Sequence, residues 1–134
     1  MAKAARDLVR QRAQDRCEYC RLPDTVDPMP FHVDHVVARQ HGAGDELENL
    51  AWTCGRCNAH KGTNLVSIDP HTRETVKLFH PRTQAWRDHF ELRGAEIVGL
   101  TAEGRVTVAL LQMNAARRVL LRQELIEQGV FELE

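Results

Sequence analysis

The sequence has no excess of charge of either sign. Its formal net charge is -1 over 134 residues, so no global cationic field announces nucleic acid as a partner, although a local patch can hold phosphate on an otherwise acidic surface. It also has no long apolar run. The first ten residues, M-A-K-A-A-R-D-L-V-R, carry charges where a signal peptide needs hydrophobic side chains, and no segment approaches the length of a membrane span. The expectation is a soluble, cytoplasmic protein with no membrane partner. Repeats, low-complexity tracts and linkers are missing too. That leaves one domain over 1–134 with a real but modest core.

No cysteine is left unpaired in the pattern. Cys17, Cys20, Cys54 and Cys57 form two C-x-x-C pairs. In a reducing compartment two such pairs read as a metal site rather than as disulfides. A single pair would suit a thioredoxin-type redox motif, but no βαβ pattern surrounds either one. Four thiolates suit a structural Zn2+ in tetrahedral coordination. Residues 21–53 between the pairs make a longer insertion than a compact zinc ribbon holds, with room for function.

Residues 2–16 have the period of a short amphipathic helix, with Leu8, Val9 and Ala13 inward and Arg6, Arg10 and Arg12 outward. Three prolines in R-L-P-D-T-V-D-P-M-P exclude helix there. F-H-V-D-H-V-V alternates as a strand does. A short helix is expected from Cys57 to about Leu65, limited by Gly62. In the second half, Asp69-Pro70 reads as a turn and 75–79 as a strand. Thr83 is a candidate helix N-cap, with Trp86 and Phe90 four apart on one face. E-I-V-G-L-T-A-E-G-R-V-T-V reads as a strand and a glycine turn. Residues 108–128 read as one helix with Leu110, Leu111, Leu120, Leu121 and Leu125 as its apolar stripe.

The polar residues then fall in a fixed order: Asp34-His35 on the strand, Asn49 in the loop return, and Asn58, His60 and Lys61 after the last thiol. With C-E-Y-C at 17–20, H-V-D-H-V-V at 32–37, H-G-A-G-D-E-L-E-N-L at 41–50 and C-G-R-C-N-A-H-K-G at 54–62, the chain resembles the HNH endonucleases. The later D-P-H-T, L-F-H-P-R-T-Q-A-W-R-D-H-F and G-L-T-A-E-G-R-V-T-V resemble a bacterial branch of that family. The likeness spans roughly 15 to 120. An isolated Asp-His pair would mean little, but the ordered set framed by two thiol pairs is specific.

The resemblance implies an α+β fold. Its ββα-metal core, the His-Me finger, would lie within 15–65 beside a four-cysteine zinc site, with an N-terminal helix and a strand/helix extension over 66–134. It implies metal-dependent hydrolysis of phosphodiester bonds in DNA, leaving 5′-phosphate and 3′-hydroxyl ends. His35 would be the general base that activates water, Asp34 a metal ligand and Asn49 the residue that holds the loop. Asn58 would complete the protein's share of the metal shell. An imidazole titrates near neutrality, and a divalent cation can stabilise both the phosphate and the departing oxygen. Oxygen donors favour Mg2+ or Mn2+, with Ni2+ or Zn2+ open if His60 joins.

Helix geometry bears on that last choice. Residues two apart diverge, so Asn58 and His60 should not grip one ion, and Asn58 is favoured; Asn58 and Lys61 can share a face, with Lys61 reaching a phosphate oxygen. On an ideal pleat Asp34 and His35 point to opposite sides, so the strand must end or twist near His35; otherwise His32 is the better partner for Asp34. Two departures from the family pattern, Ala38 where many members carry proline and Gly42-Ala43-Gly44 in place of two adjacent glycines, bear on the loop after His35. The competing class is a non-catalytic zinc module that binds nucleic acid or a protein through the same face, and RNA is an alternative substrate.

Overall fold

The structure is a computed structural model that describes residues 2–131. Helix α1 (Lys3–Arg12) buries Val9, with Ala13 buried at its C-cap, while Leu8, expected inward, is exposed. It stops where Gln14 and Asp15 take left-handed backbone angles (φ 56 and 62), which turns the chain into the first C-x-x-C. Strand β1 (His32–His35) pairs antiparallel with β2 (Leu50–Thr53), Asp34 opposite Ala51 and His35 opposite Leu50. Every residue of β2 is buried, because α1 and the knuckles cover it.

Helix α2 (Gly55–Lys61) follows at once, capped by Cys54 Sγ, which accepts from the Cys57 N–H, and it stops before Gly62. These three elements are the ββα arrangement that the resemblance implies, within an α+β fold. The aromatic centre of the core joins the halves. Tyr19 meets Phe79 edge-on, and Phe79 and Trp86 both pack on Phe90. Glu18, inside the first C-x-x-C, accepts from the Trp52 N–H at 2.8 Å and pairs with Arg82.

The extension consists of β3 (Val66–Ile68) with β4 (Thr75–Lys77), the single-turn α3 (Trp86–His89), β5 (Phe90–Arg93) with β6 (Glu96–Gly99), and helices α4 (Ala102–Leu110) and α5 (Ala116–Glu127). The strand at 75–79 is shorter than expected. Ala85, rather than Thr83, sits at the N-cap of α3, although Trp86 and Phe90 do meet, 5.0 Å between ring centroids.

Gly104 is not a turn residue. Thr101 Oγ1 accepts its N–H at 3.0 Å and so starts α4. A Cβ on Gly104 would lie 2.1 Å from the His89 carbonyl oxygen, so glycine here allows helix backbone to touch the β5–β6 hairpin.

The single helix expected over 108–128 is two. Gln112 adopts φ 50 and breaks it, and α5 folds back. Its buried face is Arg118, Arg122 and Leu125, with Leu120 exposed. The leucine stripe therefore does not define that face. The arginines do, because α5 covers sulfur and carbonyl acceptors rather than an apolar layer. No described helix is long and apolar enough to cross a membrane.

Candidate active site

The two C-x-x-C turns are brought together by β2 and α2. All four cysteines are buried, and their sulfurs lie within 4.8 Å of one another. A tetrahedron with metal–sulfur arms near 2.3 Å has edges of roughly 3.8 Å; Cys20 Sγ and Cys54 Sγ are 3.7 Å apart. Backbone N–H groups of Cys20 and Cys57 point at the sulfurs of Cys17 and Cys54, both at 3.4 Å. The cluster can hold a metal ion, and its donor set is that of a structural zinc site.

Burial pushes the Cys17 and Cys57 thiols well up, while hydrogen bonds from Cys17, Cys54 and Cys57 bring Cys20 well down. Four close thiols cannot all ionise without a cation among them. Arg118 supplies positive charge from outside. Its guanidinium donates to Cys57 Sγ at 3.0 Å and to the Leu111 carbonyl at 2.7 Å.

Beside the cluster, a cleft of about 350 Å³ is lined by Asp34, His35 and Asn58 together with Arg39, Gly62 and Thr63. The strand β1 ends at His35, and its neighbours change ladder there: the Val36 N–H bonds the Asn49 carbonyl at 2.8 Å. Asn58 and Asp34 reach the cleft from α2 and β1. His60 is not among the residues lining it, and it stands partly exposed two positions further along α2.

Asn49 is buried and joins three backbone groups. Its Oδ1 accepts from the Val37 N–H, and its Nδ2 donates to the carbonyls of Val37 and Gly44, all at 2.9 Å. Those contacts close the loop 37–49. Gly42, at φ +97, supplies the left-handed step that this closure needs.

Lys61 is placed differently from its expected position on a phosphate. It is 1% exposed, and its Nζ lies 3.0 Å from Asp34 Oδ2 and donates to the His35 carbonyl at 3.0 Å. The cause is Asp34, itself only 6% exposed. A carboxylate at that depth requires a cationic partner. Burial raises the Asp34 pKa, and Lys61 offsets part of the rise. Asp34 Oδ2 is buried against the Lys61 ammonium without an aligned hydrogen-bond donor, and Oδ1 accepts a long contact from the same Nζ at 3.4 Å.

Two residues at these sites were not singled out from sequence. Asp45 Oδ1 lies 2.7 Å from His35 Nε2 and accepts from Arg39 Nη2 at 2.6 Å, and these two hydrogen bonds hold its carboxyl below the ordinary value. Its only signal was an acid inside the loop that Asn49 closes. Arg118 was hidden in the leucine pattern; the clue was a second arginine one helical turn on, Arg122, which donates to the Met113 carbonyl.

Residues 17–64 match the family model of the HNH endonucleases. The matched segment takes in both C-x-x-C turns, β1, β2 and α2. No curated protein and no solved structure matches the chain.

Proposed function

We propose that the protein is a metal-dependent endonuclease that hydrolyses phosphodiester bonds in DNA. The observation that carries this reading is the convergence of Asp34, His35 and Asn58 on one cleft inside the segment that matches the HNH endonuclease model. His35 takes a proton from the attacking water. Asn49 keeps the loop behind His35 closed. Asp34 and Asn58 offer oxygen donors of the kind that a hard divalent cation, Mg2+ or Mn2+, takes, and such an ion would take over the place of the Lys61 ammonium at Asp34 Oδ2. When bound, the ion supplies Lewis-acid charge at the scissile phosphate. His60, which does not line the cleft, is the weaker candidate ligand.

Cys17, Cys20, Cys54 and Cys57 hold Zn2+ as a structural ion, and Arg118 on Cys57 supports reading 66–134 as one unit with the core. Four free thiols gathered as one metal-ligand set support a reducing, cytoplasmic setting.

One observation favours the competing reading of a non-catalytic module: Asp34 already has a cation, the Lys61 ammonium, at 3.0 Å. Plasmid cleavage with added Mg2+ or Mn2+, native chain against His35→Ala, separates the two. The nuclease reading expects metal-dependent cutting that falls about 10²–10⁴-fold in the variant, the usual contribution of a general base, with DNA binding retained. Binding without cutting by native protein favours the module. Parallel single-stranded DNA, duplex and RNA substrates assign the nucleic acid.

A further inference from the structure

Two acids stand near His35, and only one touches its ring. Asp34, the preceding residue, turns inward to Lys61. Asp45, ten positions later, meets the imidazole at Nε2. We propose that Asp45 is a positioning residue for His35: it accepts the Nε2–H and so leaves Nδ1 as the nitrogen that takes a proton in the cleft. The inference rests on the reading of His35 as general base and deepens it.

The chemistry is that of the acceptor. An ionised carboxylate accepts hydrogen bonds and donates none, while a neutral imidazole has one N–H and one lone pair. A 2.7 Å contact between Nε2 and Asp45 Oδ1 therefore selects the tautomer with hydrogen on Nε2. Without that acceptor the two tautomers compete, and the ring can swing about its side-chain torsions.

The carboxylate is itself fixed from two directions. Arg39 donates to the same oxygen at 2.6 Å from the turn after β1. Asn49 grips the adjoining Gly44 carbonyl at 2.9 Å, so the backbone carrying Asp45 is tied to the end of β1. The two protein contacts made by the Asn49 amide nitrogen thus reach His35 by way of Asp45. This gives the loop a task beyond closure.

The bland alternative is a surface pair. The Asp45 side chain is 54% exposed and Arg39 67%, and exposed ion pairs contribute little to stability. A surface pair has no reason to set a tautomer, and that difference is measurable.

The test uses the full chain labelled with 15N-histidine. Long-range proton–nitrogen spectra at about pH 8, above the ordinary histidine range, report which His35 nitrogen carries hydrogen. The native protein is expected to show the Nε2–H form alone, and Asp45→Ala a mixture. In plasmid cleavage, Asp45→Ala should lower kcat roughly ten- to a hundredfold, the scale seen when an orienting partner of a functional histidine is removed, with KM nearly unchanged. Asp45→Glu should recover part of the loss.

Asp45→Asn, of the same size, guards against a loop that fails to form in Asp45→Ala. A His35 tautomer that is unchanged in both variants, or an unchanged kcat in both, overturns the proposal. A His35→Ala protein that cuts as fast as native sinks the general-base reading instead, and the spectra still decide whether Asp45 sets the ring.

Discussion

Cys17, Cys20, Cys54 and Cys57 commit every donor atom to one enclosed point, whereas Asp34, His35 and Asn58 line an open cleft in which one donor is already shared with Lys61. The closed site is complete from the chain's own side chains and leaves no position for substrate. The open one pairs Asp34 with Lys61 and leaves His35 and Asn58 partly exposed in the cleft. A closed donor set is the mark of a structural metal site, and an open position is what a catalytic one requires. The two are coupled mechanically, because α2 begins at the cluster and delivers Asn58 and Lys61 one turn later.

The largest perturbation breaks the closed side. Cys57→Ser, or a strong chelator, should abolish cooperative folding, since structural zinc contributes on the order of 10 kcal/mol in small thiolate domains; circular dichroism melts with and without added Zn2+ measure it. If the chain melts unchanged, the cluster is not the clip and the comparison fails.

Next is the pair beneath the cleft. Lys61→Met leaves the Asp34 carboxylate buried without a partner and should cost about 3–5 kcal/mol in urea unfolding. The double variant with Asp34→Asn should cost less than the two single changes added together, because one charge no longer strands the other.

A smaller loss is expected from Asn49→Ala. Three hydrogen bonds at 2.9 Å disappear, and the exposed-versus-orphaned balance of their partners sets a loss of roughly 1–3 kcal/mol. Hydrogen exchange should quicken over 37–49 while the cluster stays protected. Arg118→Met should weaken zinc retention roughly ten- to a hundredfold in competition with a chromophoric chelator, which sharpens the view that α5 serves the closed site.

The smallest effect is in pH dependence. Burial raises the Asp34 carboxyl above its ordinary value of 3.8. A raised acid contributes favourably below the ordinary value, and the contribution is lost as pH climbs through the folded value. Stability measured across the window directly above 3.8 should therefore carry a downward component in the native protein that Asp34→Asn removes.

Local patterns were the legible part. C-x-x-C spacing led directly to the cluster and alternation to β1, while α2 begins at Gly55 rather than Cys57 and ends at Lys61 rather than near Leu65, because Gly62 breaks it. Helix periodicity put Asn58 and Lys61 on a common face; Lys61 reaches Asp34 and the His35 carbonyl, and Asn58 lines the neighbouring cleft. The reading broke where a side chain's fate depended on distant chain. Lys61 turned inward because Asp34 is buried opposite it. The 108–128 helix divided because Gln112 turns α5 back over the sulfurs. Gly104 lies within α4, where only glycine lets the helix backbone sit against the His89 carbonyl.

The amino-acid order alone determined which atoms were available as ligands and how the knuckles, strand and helix would form, since those depend on neighbours within a few residues. Folding decided the pairings: Lys61 with Asp34, Asp45 with His35, Arg118 with Cys57. Each joins groups far apart in the chain. Their strength depends on burial and on which competing partner lies within 3 Å, quantities that come into being only when the chain packs.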